Sequence, residues 1–369
     1  MRKRLAIFLP ALPGGGAERV MLNLAAGFTA RGHAVDLVLA KAEGAYLYAV
    51  PAAVRLIELN LRKLPMFRTL TSLPALMSYL RRERPDALLS GLHANIIAIW
   101  GVLFSGRPQR LAISEHSTFS RQTGEAPVWY GKVMRRLVRR FYPAANEIIA
   151  VSEGVADDLS RATGIARARI RVIYNPIITP EIEKKAREAL EHPWFLPAEP
   201  PVVLAIGRLA AEKDFGLLIR AFAKARGNSK ARLLILGEGE KRSELEALVH
   251  SLKLERDVGL PGFVENPYSY MAGASMVVLS SRWEGLPTVL VEALHCGTPV
   301  IATDCPSGPR EILEEGRYGQ LVPVGDVDAM ARAMRAVLSG AVRLPPRRCL
   351  ARYELEPIVS QYERILLGA

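Results

Sequence analysis

Two doubly wound α/β domains in tandem are what this sequence predicts, and three observations carry the prediction. Short apolar runs alternate with longer stretches of helical periodicity along nearly the whole chain. Most of those runs are apolar on both faces, as strands buried in a parallel sheet are. The alternation is interrupted once near the middle, at 176–200, where five prolines surround a charged, helix-like insert. At ~150 residues per domain, 369 residues allow two or three domains, each large enough for its own core.

In chain order, the strands of the first series are expected at 5–9, 35–40, 54–59, 87–90, 111–114, 148–151 and 170–174. Helical patterns at 17–31, 68–84, 95–104, 128–142 and 154–162 separate them, so residues 1–180 read as one complete doubly wound domain. After the proline-rich break a second series places strands at 202–206, 232–236, 257–260, 275–279, 298–302 and 320–322, giving a domain over 181–352. Helices are expected at 287–296 and 329–338, and a last amphipathic helix at 355–367 follows a basic, proline-containing stretch ending near Arg352.

Composition narrows the class. Half the residues are hydrophobic and 23% are charged, with no low-complexity tract, which places the chain among globular proteins. The three cysteines, Cys296, Cys305 and Cys349, have neither C-x-x-C spacing nor histidines at zinc-site intervals, so free thiols in a reducing cytoplasm are expected. The opening MRKRLAIFLPAL has the basic start and apolar core of a signal peptide. It also contains Pro10, lacks an A-x-A-like site and runs into a glycine loop and a helix, so it reads as the first strand. The longest apolar stretch, around 94–104, is too short to span a bilayer. The net charge of +12 lies entirely within residues 1–180. A nucleic-acid binder would carry such an excess, but no recognised module and no aromatic–basic interleaving is present, and no nucleic-acid partner is expected.

The stretch 281–312, SRWEGLPTVLVEALHCGTPVIATDCPSGPREI, holds the densest chemistry. An apolar strand runs out into a polar loop carrying Glu284 and Gly285, and Pro287 suits the start of the helix that follows. Glu292 lies eight residues beyond Glu284, about two helical turns deeper. A carboxylate beside a helix N-terminus is held ionised and accepts several hydroxyl protons, so two such acceptors with exposed N–H groups between them suit a polyhydroxy ligand bearing phosphate. A helix cap and a surface glutamate fit the spacing equally well.

Other loops at strand ends add candidates. Gly14, Gly15 and Gly16 precede the first helix and let backbone N–H groups approach a phosphate, although the pattern is neither a dinucleotide fingerprint nor a Walker loop. Gly207-Arg208-Leu209 and then Glu212-Lys213-Asp214 end the second domain's first strand, where Arg208 offers a planar fork and Lys213 a point charge for a pyrophosphate. Solvated surface charges would look the same. Gly237-Glu238-Gly239 marks a tight turn, and His116 and His93 both follow first-domain strands. Asp326-Val327-Asp328 imitates a metal-binding D-x-D but precedes an apolar-periodic helix, so helix capping explains it better and no metal site is expected.

At Ser281, Glu284, Gly285, Pro287, Glu292 and Ala293 the chain resembles the family 4 retaining glycosyltransferases, whose signature reads S-x-x-E-G-x-P-x-x-x-x-E-A. The resemblance extends through G-R-L-x-x-E-K-D-F at Gly207 to Phe215 and G-G-G-A-E at Gly14 to Glu18, and so covers the whole chain. It implies two Rossmann-like domains facing each other across a cleft, the GT-B arrangement, with the last helix returning to pack on the first domain. It implies that Glu284 holds the donor sugar's hydroxyls and Glu292 the nucleotide ribose, with Gly285, Leu286 and Pro287 beside them. Arg208, Lys213 and Gly207 would meet the diphosphate, Gly237 and Val264 would lie around the base, His116 would contact the donor sugar, and Gly14–Gly16 would face the diphosphate and acceptor.

The function expected from residues and resemblance together is sugar transfer, with retention, from a UDP-linked donor to a lipid-linked or membrane-presented acceptor of the cell envelope, without cofactor or metal. A pyridine-nucleotide dehydrogenase would share the folds but needs a glycine fingerprint followed by an acidic residue, which neither domain has. Basic residues interleaved with apolar ones at Lys132, Arg135, Arg136, Arg139 and Arg140, and again at Arg62, Lys63 and Arg68 around Leu64, Met66 and Phe67, suggest an anionic membrane surface as partner. The expected location is cytoplasmic, at the inner face of the plasma membrane. A soluble acceptor is the competing expectation.

Overall fold

The computed structural model describes residues 2–59, 70–106, 109–227 and 230–368. The chain forms two compact units, 1–177 with 352–369, and 178–351.

The first unit runs β1 Arg4–Leu9, α1 Gly16–Ala30, β2 Ala34–Leu39, β3 Arg55–Glu58, α2 Leu73–Glu83, β4 Ala87–Gly91, α3 Asn95–Ser105, β5 Arg110–Glu115, α4 Phe119–Glu125, α5 Val128–Phe141, β6 Glu147–Ala150, α6 Glu153–Thr163 and β7 Ile170–Val172. Its seven strands are parallel in the order β3-β2-β1-β4-β5-β6-β7, and the central strands β1, β4 and β5 are buried on both faces. The helix expected from 68 onward begins at Leu73, after a 3-10 turn at Leu70–Ser72, and residues 60–69 lie outside the described residues.

The second unit runs α7 Pro180–Ala186, β8 Val202–Ile206, α8 Phe215–Arg226, β9 Arg232–Leu236, α9 Arg242–Ser251, β10 Val258–Gly262, α10 Pro267–Gly273, β11 Met276–Leu279, α11 Thr288–His295, β12 Val300–Thr303, α12 Pro309–Ile312, β13 Gln320–Val322, α13 Val327–Leu338 and α14 Arg347–Leu350. Its parallel order is β10-β9-β8-β11-β12-β13. Asp326 caps α13 by accepting from the Ala329 N–H at 2.8 Å, as a D-x-D at a helix start does when it serves the backbone.

The last helix, α15 Leu355–Leu367, completes the first unit. Ile358, Val359, Tyr362, Ile365 and Leu366 recur at helical spacing and enter the same core as Val20, Leu24 and Phe28 of α1. At ~1.5–3 kcal/mol for each large apolar side chain buried, this stripe is a substantial part of the unit's stability. Contact is close because Gly27 has no side chain: a Cβ there would lie 2.4 Å from Val359 Cγ2. Arg31 locks the crossing by donating to Glu363 at 2.6 Å and to Glu356 at 2.9 Å.

The helix α5 is the exposed one. Only Gly131 and Val138 of it are buried, while Val128 and Trp129 are 74% and 67% exposed. Lys132, Arg135, Arg136, Arg139 and Arg140 are exposed as well, and none has a carboxylate partner among the described residues.

Candidate active site

In the second sheet β8 and β11 lie side by side where the winding reverses, and ligands of open parallel sheets gather beyond the carboxyl ends of such strands. The loop after β8 carries Arg208, Glu212, Lys213 and Asp214, and the loop after β11 carries Ser281, Glu284, Gly285, Leu286 and Pro287. The two are tied together. The Arg282 N–H donates to the Glu212 carbonyl at 2.8 Å, the Ser280 hydroxyl donates to the Lys213 carbonyl at 2.7 Å, and the Arg282 guanidinium reaches Asp214 at 2.8 Å. Asp214 itself takes a left-handed conformation, φ +46°, and caps α8 by accepting from the Leu217 N–H.

This stitching brings Lys213 to Glu284. The ammonium donates to Glu284 Oε1 at 2.6 Å, and the Ser281 hydroxyl donates to the same oxygen at 2.6 Å. The Lys213 and Glu284 side chains are 22% and 11% exposed, so the pair is largely withdrawn from water, and the serine bond offsets part of the desolvation cost. Arg208 is not drawn into the pair. Its side chain is 68% exposed and donates to Glu212 at 2.5 Å.

Pro287 is the cap of α11 rather than its first residue, and Glu292 is buried within that helix. Burial, and then the Glu292 charge, push the Cys296 thiol up to about 12, and burial followed by the Glu284 charge does the same to Cys305. Both thiols are free and protonated at neutral pH, so neither is a ready nucleophile. Beyond β9, Gly237 at φ +143° lies so close to the loop after β8 that a Cβ on it would be 2.0 Å from the Gly207 carbonyl oxygen. Its N–H donates to the Gly262 carbonyl at 2.8 Å, which fixes the turn two residues before the half-buried Val264.

In the first unit Gly15 is the cap residue of α1, Gly16 opens the helix and Gly14 has φ +110°. The buried Glu18 lies over this loop, its Oε2 2.5 Å from where a Cβ on Gly15 would be, so the positive end of the helix is met by the chain's own carboxylate. The loop is tied to the one after β2: Leu12 N–H donates to Glu43 O at 2.9 Å, and Arg19 donates to the Tyr46 hydroxyl at 2.6 Å.

His116 follows β5 and shares a 3.0 Å hydrogen bond between its Nε2 and Ser114 Oγ. Burial pulls its pKa down to about 4, so the ring is neutral at physiological pH, and Nδ1 is buried without a partner among the described residues. His93, by contrast, is exposed, with Nε2 3.2 Å from the Gln122 side chain. Two residues were not singled out from the sequence. Ser281 was only a letter of the motif, and Glu115 is a buried acid bonded by Tyr142 and by Asn95 at 2.9 Å, which burial pushes up to about 7 despite those bonds. An acid closing the apolar strand in ISEHS was the available signal. Among the described residues no group of three His, Cys, Asp or Glu side chains forms a metal site, and no helix is long and apolar enough to cross a membrane.

Comparison with known proteins supplies the family. The model described as Glycosyl transferases group 1 matches residues 186–352, and that described as Glycosyltransferase Family 4 matches residues 14–180. The chain is 32% identical over 91% of its length, and 90% of the relative's, to the N-acetylgalactosamine-N,N'-diacetylbacillosaminyl-diphospho-undecaprenol 4-alpha-N-acetylgalactosaminyltransferase of Campylobacter jejuni. It is 28% identical over 95% of its length, and 92% of the relative's, to the lipopolysaccharide core biosynthesis glycosyltransferase LpsE of Rhizobium meliloti. A solved structure of Anabaena HepE in complex with UDP and glucose shares the fold at a TM-score of 0.74 and 20% identity, over 100% of this chain and 98% of that one. Matched in both of its units by these models, the chain belongs to glycosyltransferase family 4 and is a glycosyltransferase of two parallel-sheet α/β domains.

Proposed function

We propose that this enzyme transfers a sugar, with retention at the anomeric carbon, from a UDP-linked donor held by residues 181–352 to a lipid-linked glycan acceptor met by residues 1–180, in cell-envelope glycan synthesis. The observation that carries the reading is the Lys213–Glu284–Ser281 cluster at the switch point of the second sheet. Lys213 supplies positive charge for the departing diphosphate, with Arg208 swinging from Glu212 to join it, and Glu284 accepts hydroxyl protons of the sugar. Glu292 binds the ribose, Gly207 lies beside the diphosphate, and the turns at Gly237 and Val264 frame the base. Arg208, Lys213 and backbone N–H groups together meet the charge that develops on the leaving group, and the reaction so read uses no metal. Glu18, seated over Gly14–Gly16, favours acceptor hydroxyls over phosphate at that loop.

The relative from Campylobacter jejuni is named for a diphospho-undecaprenol acceptor, and HepE holds UDP, which supports both choices of substrate. The unpaired cations of α5 support a peripheral position on an anionic cytoplasmic leaflet, where such an acceptor would be presented. The basic residues Arg62, Lys63 and Arg68 lie outside the described residues. The test is transfer from a panel of UDP-, GDP- and TDP-sugars to an undecaprenyl-diphosphate glycan in the presence of chelator, with the product anomer read by NMR. Transfer with inversion, or activity lost to chelator and restored by manganese, would sink the mechanism.

A further inference from the structure

The loop bearing Glu284 is gripped at both ends by β12 and the turn that follows it. Backbone pairing of β11 with β12 reaches Leu279, opposite Ala302, so the carbonyl of the fully buried Ser281 lies beyond the ladder. A buried carbonyl without a partner is costly. Thr303, the fully buried last residue of β12, supplies one: its hydroxyl donates to the Ser281 carbonyl at 2.5 Å, with the Leu279 carbonyl farther off at 3.5 Å. At the other end of the loop Gly308, at φ +87°, comes so near that a Cβ on it would stand 2.4 Å from Pro287 Cδ and 3.0 Å from the Gly285 carbonyl oxygen.

Side-chain hydroxyls thus continue the sheet where its backbone ladder stops. On the β8 side Ser280 donates to the Lys213 carbonyl at 2.7 Å, and on the β12 side Thr303 fixes the Ser281 carbonyl. One bond holds the backbone of the residue that carries the ammonium, and the other holds the backbone of the residue that carries the serine hydroxyl. These are the two donors that meet on Glu284 Oε1, each at 2.6 Å. Rotation of the Ser281 peptide would carry its side chain off that line, and the Thr303 bond opposes the rotation.

We infer that Thr303 is a positioning residue for the transfer reaction, acting through the Ser281 backbone to orient the serine hydroxyl and, with it, the Glu284 carboxylate that meets the donor sugar. This rests on the proposed place of Glu284 in the reaction. The role belongs to the hydroxyl alone, so the two halves of the threonine side chain can be tested apart: valine keeps its shape and loses the bond, whereas serine keeps the bond and loses a methyl group.

The experiment compares Thr303→Val with Thr303→Ser in the full chain, using the UDP-sugar that the donor panel shows to be active. Thr303→Val should lower kcat/KM roughly 2- to 12-fold, the value of one neutral hydrogen bond, and Thr303→Ser should stay within about twofold of the parent. A residue that only fills space would give the reverse order, with valine harmless and serine costly. A crystal structure of Thr303→Val, which needs no substrate, should show the bond from Ser281 Oγ to Glu284 Oε1 lengthened or broken. Parent-like activity of the valine variant, that bond intact in its structure, or a folded serine variant impaired about tenfold or more overturns the inference, and the last of these decides even where valine folds poorly. Full activity of Glu284→Gln beside a broken bond in Thr303→Val would instead be a failure of the proposed function, with the positioning by Thr303 upheld.

Discussion

Lys213 and Glu284 stand 71 residues apart in sequence and 2.6 Å apart in space, and the carboxylate oxygen that joins them also receives the Ser281 hydroxyl. The cation proposed for phosphate and the anion proposed for sugar thus lie against each other. A double-mutant cycle on Lys213→Ala and Glu284→Gln should give a coupling in folding stability of about 1–3 kcal/mol, reduced from the value of a fully buried pair by partial exposure. Chemical denaturation measures it. Additive effects would mean that the pair carries no energy of its own.

Arg208 differs in being exposed and bonded to Glu212 at the surface, where an ion pair contributes at most about 1 kcal/mol. Arg208→Ala should therefore leave the melting temperature almost unchanged. Loss of a charge-assisted phosphate contact of roughly 1.5–3 kcal/mol should lower kcat/KM by about 10- to 150-fold. Unaltered kinetics in the folded variant would remove Arg208 from the donor site.

The buried Glu115 makes stability depend on pH in a definite direction. Its carboxyl is raised from 4.5 to about 7 in the folded chain, so the stability gained by keeping it protonated is complete below about pH 4.5 and is lost as pH rises through about 7. The melting temperature of the parent relative to Glu115→Gln should accordingly fall between pH 5 and pH 8. Parallel curves for the two proteins would show that Glu115 does not titrate in this window.

His116 behaves in the opposite sense. With its pKa pulled down to about 4, it contributes no titrating limb to activity between pH 5 and 8. A kcat/KM profile with an inflection near 6.5 that disappears in His116→Gln would contradict this.

The basic face of α5 should make association with vesicles sensitive to salt. Anionic lipid attracts surface cations by about 1 kcal/mol each. The parent should sediment with phosphatidylglycerol vesicles at low salt and be released at high salt, and a variant with Arg135, Arg136, Arg139 and Arg140 changed to Gln should remain in solution under both conditions. A parent that ignores the vesicles at low salt would make a soluble acceptor the better hypothesis.

Most strands were legible in the sequence because they are apolar on both faces, a pattern that survives without knowledge of their neighbours. Helices such as α4, with its polar SRQTGE, and α10 were not, since they are too short for periodicity to declare them. The carboxylate pair Glu284 and Glu292 stood out because it lies within one βα unit. The bond from Lys213 to Glu284 did not, because it exists only once β8 and β11 are neighbours in the sheet. The elevated pKa of Glu115 was equally invisible, being a product of what α3 and the turn after α5 pack around it.

The close crossing of α1 and α15 at Gly27 and Val359 also sets an order of events during synthesis. The second unit is a continuous piece of chain and can close without α15. The first unit, although its sheet is made earlier, lacks one layer of its core until α15 emerges, and the apolar faces of α1, β4 and β5 stay uncovered through the whole translation of its neighbour. A released chain ending at residue 351 should therefore be protected from protease in 178–351 while 1–177 is still cut.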